Sequence, residues 1–182
     1  MINTYFRCLY NYIRLSAKKI FGCVKISGSM FHTFSKHTSL EFKKYSSVNM
    51  GKNIQSDGFV RIVVGNNAKL SIGKSTYFNS GCVISAMDEI EIGENCLFGP
   101  NVVVFDNNHK FSKGEGVSYE HVCSKIEIGN NCWIGSGAII LMGTTIGDNC
   151  VIGAGCKVSG NIPSGSIVTM HCEKHIHQIE DR

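Results

Sequence analysis

The run Asp106-Asn107-Asn108-His109 opens a polar, Gly-containing stretch, and Trp133, the only tryptophan, follows twenty-four residues after the histidine. Histidine is the side chain whose ordinary pKa, about 6.5, suits it to accept and return a proton near neutrality. A loop histidine is also commonly a plain solvated residue. A metal site is the other chemistry that histidine supports, but only His109 and His121 of the seven lie near this stretch. That spacing gives no zinc triad of the γ-carbonic anhydrase kind.

Around this stretch the chain repeats in sixes. From residue 128 it reads IGNNCW, IGSGAI, ILMGTT, IGDNCV, IGAGCK, VSGNIP, with Ile128, Ile134, Ile140, Ile146, Ile152 and Val158 in the first place. The fifth place takes Cys132, Ala138, Thr144, Cys150 and Cys156. Upstream the register is looser: Val48, Ile54 and Val60; Ile72, Phe78 and Ile84; Ile92, Phe98 and Val104. A period of six fits neither a helix of 3.6 nor a two-sided strand of 2. It fits short strands joined by turns, three faces to a coil of about 18 residues, with coils stacked at about 4.8 Å. The first and fifth positions point inward. Cys82, Cys96, Cys132, Cys150 and Cys156 are therefore expected to be small buried residues rather than disulfides or ligands.

Trp133 falls in the sixth position of its hexad, which faces outward. An indole on the outer wall of a solenoid implies a ligand or a neighbouring subunit. The repeat stops between Val104 and Ile126, leaving a loop over 105–125 of the length that usually carries function.

The stretch DNNH, the loop, and then NNCWIGSGAII and TIGDNCVIGAGCKVSGNIPSGSIV resemble the hexapeptide-repeat transferases, over roughly residues 70–176. The likeness is to bacterial sugar O-acetyltransferases, those acting on maltose and galactosides and on capsule and lipopolysaccharide sugars. It implies a left-handed parallel β-helix; the hand comes from the resemblance alone, because parallel crossovers are ordinarily right-handed. It implies acetyl transfer from acetyl-CoA to a sugar hydroxyl in a ternary complex, with no metal, with His109 as general base and Trp133 beside the thioester. Backbone N–H groups near Gly135 and Ser136 would stabilise the oxyanion. Ser136 and Ala154 would line the coenzyme slot, with Ser159, Gly160 and Lys174 further along. Asn79 would contact the acceptor, and Asp106, with Asp88 as the weaker case, would contact it or orient the histidine. The family forms homotrimers with active sites at the subunit clefts. One departure stands out: the family's G-N-P-A-K turn is here Met170-His171-Cys172-Glu173-Lys174, without the proline and glycine.

The expected organisation is an N-terminal cap over 1–45, the β-helix over 46–168 and a tail over 169–182. Hydrophobic residues make up 43% and charged ones 18%, which excludes a disordered chain. Residues 1–44 carry a formal +7 and the remainder −3, so the body is no nucleic-acid module. No apolar run is long enough to span a membrane and Arg7, Arg14, Lys18 and Lys19 break any signal-peptide core, so the expected compartment is the cytoplasm. Residues 5–26 form an expected amphipathic helix, either a lid on the open end of the solenoid or a contact with the inner membrane surface. Two functional alternatives stay open on the residues alone: acylation of an amino sugar on the same fold, and a solenoid that binds without catalysing.

Overall fold

The computed structural model describes residues 2–170: one helix, α1 (Ile2–Phe21), followed by short strands wound into a parallel solenoid. Three sheets of seven, six and six strands form its faces. The first face contains Lys25–Gly28, Ser47–Met50, Lys69–Ile72, Glu89–Ile92, Ile126–Ile128, Thr145–Ile146 and Asn161–Ile162. The second runs from Gln55–Ser56 through Tyr77–Phe78, Leu97–Phe98, Trp133–Ile134 and Val151–Ile152 to Ile167–Val168. The third stacks Ser39–Phe42, Arg61–Val64, Val83–Ala86, Val103–Phe105, Ile139–Ile140 and Lys157–Val158.

The inward set is the one expected from the period of six. Ile128, Ile134, Ile140, Ile146, Ile152 and Val158 are buried, as are the looser upstream triplets and all five predicted core cysteines. Burial pushes the Cys82 thiol up to about 11, so it behaves as a hydrophobe rather than a nucleophile. The second hexad position is glycine because coils touch there: a Cβ on Gly93 would sit 2.6 Å from the backbone carbon of Gly129. The same corner then turns through the left-handed region at Asn95, Asn131 and Asn149, φ 56°, 57° and 59°, which asparagine tolerates better than most residues. Their side chains continue the stack, Asn95 Nδ2 donating to Asn131 Oδ1 and Asn131 Nδ2 to Asn149 Oδ1, each at 3.2 Å.

Coil length is not constant. Lys25 pairs with Ser47, Ser47 with Lys69 and Lys69 with Glu89, whereas Glu127 pairs with Thr145 and Thr145 with Asn161. The early coils are longer because their strands on the first and third faces hold four residues in place of the two of the last coils. The core follows this taper. Along the inner wall of the second face Phe78 and Phe98 lead to Ile134 and Ile152.

Strands begin at Lys25, so a complete coil lies inside the segment expected to form the N-terminal cap. The helix lies across that coil's open edge. Arg7 Nη2 donates to the carbonyls of Thr33 at 2.7 Å and Ser56 at 2.8 Å, Asn11 Nδ2 to that of Phe34 at 2.9 Å, and Arg14 Nη1 to that of Thr38 at 2.7 Å. At Thr33, Phe34 and Thr38 these donors meet carbonyls of the first coil that no preceding coil exists to bond, while the Ser56 carbonyl, one coil further on, also accepts Ser35 N–H at 3.2 Å.

Candidate active site at an edge and the opposite face

The interruption of the repeat is a β-hairpin where a loop was expected: Asn107–Ser112 pairs antiparallel with Gly116–Cys123, with an irregularity between His109 and Phe111. It leaves the third face after Phe105 and rejoins the first at Ile126, so it springs from the edge between these faces. From Asn108 to Val122 every residue is exposed, and the hairpin stands away from the solenoid.

Its root is held by Asp106, which is buried. Oδ1 accepts the backbone N–H of Met87 and Oδ2 that of Asp88, both at 2.8 Å, and Asn107 Nδ2 adds a third bond at 3.2 Å. The carboxylate is thus spent on the turn after Ala86, while the exposed Asp88 contributes its backbone.

His109 lies opposite His121 across the strands, their ring centroids 4.8 Å apart at 32°. Its backbone N–H is accepted by Asn108 Oδ1 at 2.9 Å. With Val117, Ser118 and Tyr119 it lines a pocket of about 300 Å³. No sequence period pairs His121 with His109, since their pairing depends on the hairpin register. The signal was two histidines either side of a Gly-containing turn.

Trp133 points outward from the second face and is 56% exposed. It belongs to an apolar ladder, Leu97, Trp133, Val151 and Ile167, in register along that wall. In a three-sided prism the edge that bears the hairpin lies opposite the second face. One chain therefore does not bring His109 and Trp133 together.

Ser136 and Ala154 stack at the corner between the second and third faces, where Gly155 N–H donates to the Ser136 carbonyl at 2.9 Å. Both are exposed. Gly137 and Gly155 beside them have open space where a Cβ would be. The backbone N–H groups of Ser136 and Ala154 have no acceptor among the described residues, whereas at the same corner two coils before Ser136 the Ser80 N–H is satisfied by Asn79 Oδ1 at 2.8 Å. That bond engages the Asn79 amide with its own corner. Ser159 and Gly160 are exposed two coils beyond the hairpin, on its edge and not on the Ser136 corner. Lys174 and the Met170–Lys174 departure reach outside the described residues. Among the described residues no three His, Cys, Asp or Glu side chains converge as a metal site would require.

The sequence matches the family profile "Bacterial transferase hexapeptide (six repeats)" over residues 125–160 and "Hexapeptide repeat of succinyl-transferase" over 89–104. It is 35% identical to the galactoside O-acetyltransferase of Escherichia coli K12 over 147 residues, 81% of this chain and 70% of that protein. The crystal structure of a maltose O-acetyltransferase from Clostridium difficile 630 superposes with a TM-score of 0.57 at 34% identity, over 69% of this chain and 64% of that one. AntD, an N-acyltransferase from Bacillus cereus, shares the fold with a TM-score of 0.66 at 19% identity, over 85% of this chain and 81% of its own. Among four curated relatives the matched span covers from 53% to 70% of their length. The stacked hexads, the open corner amides and the 35% identity to an acetyltransferase over most of both chains lead to one family: the chain belongs to the hexapeptide-repeat acyltransferases.

Proposed function

We propose that this enzyme moves an acetyl group from acetyl-CoA to a hydroxyl of a sugar, either free or within a bacterial surface polysaccharide, with His109 as general base. The observation that carries the reading is the placement of two exposed residues, His109 on a projecting hairpin and Trp133 on the opposite wall of the prism. Side by side in a homotrimer, each hairpin reaches the corner of a neighbour that presents Trp133, Ser136 and Ala154. The apolar Leu97–Ile167 ladder supports contact between copies on that wall. The named activities of the galactoside and maltose relatives supply the substrate class.

The chemistry needs little else. His109 removes the hydroxyl proton as the oxygen bonds to the thioester carbonyl carbon. The carbon–sulfur bond then breaks, and the proton returns to the departing sulfur. The unpaired Ser136 and Ala154 amides are the donors available to the coenzyme arm and to the oxyanion, and the small side chains around them leave room for a narrow pantetheine chain. Ser159, Gly160 and Lys174 are assigned to the far end of the coenzyme and Asn79 to the acceptor. Asp106 acts by fixing the hairpin root.

The test is a thiol-release assay with acetyl-CoA against a panel of sugars, amino sugars and polysaccharides. His109→Ala should lower turnover by about 10²–10⁴-fold with acetyl-CoA binding little changed. Near-normal turnover in that variant would overturn the assignment, and acetylation confined to amines would replace the hydroxyl with a nitrogen.

A further inference from the structure

The helix α1 is amphipathic in the reverse of the usual sense. Its buried side carries Arg7, Asn11, Arg14 and Leu15, and the first three spend their polar groups on the carbonyls of the first coil. Its outward side carries Phe6, Leu9, Ile13 and Ile20, which are 67%, 55%, 59% and 71% exposed, with Tyr5 beside them. Tyr12 at the flank stacks on the exposed Phe31 at 5.1 Å. A helix that had only to close the solenoid would face its apolar side inward and its charges to water. This one is closed by polar groups and leaves its apolar stripe unused.

The surroundings are basic. Residues 4–40 contain no acidic side chain. Lys18 reaches over the ring of Phe42, and the adjoining Lys43-Lys44-Tyr45 turn bonds back to the segment just after the helix, Tyr45 N–H donating to the Cys23 carbonyl at 2.9 Å. Lys19, Lys43 and Lys44 are exposed around the C-terminal end of the helix. The helix is not long and apolar enough to cross a membrane. An apolar stripe flanked by lysines matches a bilayer interface with anionic headgroups. A second copy is a poorer match, because two such faces would set lysine clusters against each other.

We infer that α1 docks this enzyme on an anionic membrane surface through Phe6, Leu9, Ile13 and Ile20, with Lys19, Lys43 and Lys44 on the headgroups. The inference stands apart from the transfer chemistry, which uses other faces.

The full chain is floated with phosphatidylcholine vesicles, with and without phosphatidylglycerol. Leu9→Glu/Ile13→Glu is compared in parallel, since both side chains point to solvent and the fold does not depend on them. The wild type should bind the phosphatidylglycerol vesicles, and release with rising salt. The double variant should bind at least about tenfold more weakly at an unchanged melting temperature. Lys43→Gln/Lys44→Gln should lose binding in part. No binding to either vesicle, or equal binding to both, overturns the proposal. So does a double variant that keeps vesicle binding but loses mass in sedimentation velocity, which would make the stripe a contact between copies.

Discussion

His121 faces His109 across the hairpin, with the two rings 4.8 Å apart and inclined by 32°. In the proposed reaction only His109 handles the proton, and His121 acts by holding its ring. His121→Ala should therefore lower kcat by about tenfold or more, while His121→Phe, which restores a flat partner, should recover most of the loss. Steady-state kinetics of the two variants separates positioning from proton transfer, since an essential second base would not be rescued by Phe.

Because His109 and Trp133 lie on opposite parts of one chain, they can be disabled in different chains. His109→Ala and Trp133→Ala should each be nearly inactive alone. Unfolded together in equal amounts and refolded, they should regain about a quarter of wild-type sites, those that pair an intact hairpin with an intact wall. Absence of recovery in mixtures shown to contain both chains would mean the site lies within one subunit.

Asp106 is a structural prediction as much as a catalytic one. Asp106→Ala strips the acceptors from two backbone N–H groups at the hairpin root and should cost about 1–3 kcal/mol in urea unfolding. Asp106→Asn keeps one acceptor oxygen and should lose about half as much. Both should lower kcat more than they raise KM for the coenzyme, whose acyl arm is proposed to lie at the Ser136 corner.

A pH dependence of stability follows from His32. It is fully buried, its Nε2 lies 2.9 Å from the Ser29 carbonyl, and its Nδ1 has no partner. Burial lowers its pKa from the usual histidine value. The unfolded chain then takes up a proton near pH 6.5 that the folded chain refuses, so this contribution is complete above about pH 6.5 and is lost as pH falls below it. Glu41, held at about 2 by its hydrogen bonds from Arg61, titrates too low to obscure the effect. Urea unfolding at pH 7.5 and 5.5 should show a drop for the wild type and a smaller one for His32→Gln.

Much of the core was legible because inward side chains at the first and fifth places of each hexad are a local rule, and Ile134 or Cys150 obeys it without reference to distant residues. The starting point of the solenoid was not. In the first coil the inward places fall to Ile26, Phe34 and Leu40 among polar neighbours such as His32 and Thr38, and the four-residue strands shift the register from coil to coil. The site divided in the same way. Trp133 sits in the repeat, so its outward aim could be read directly. The partners of His109 and Asp106 depend on an antiparallel pairing and on a turn nearly twenty residues upstream, and no periodicity encodes either.

The taper of the coils has a further consequence. Each cross-section admits side chains only up to a size set by its own perimeter, so the ring count of a coil acts as a gauge for its filling. Phe98 and Ile134 are neighbours in one column, yet they are not interchangeable: Ile134→Phe should crowd a smaller ring and cost about 1–3 kcal/mol, and a coil lengthened to receive it should restore the loss. Perimeter and filling must therefore change together, coil by coil, for such a tube to widen or narrow along its axis.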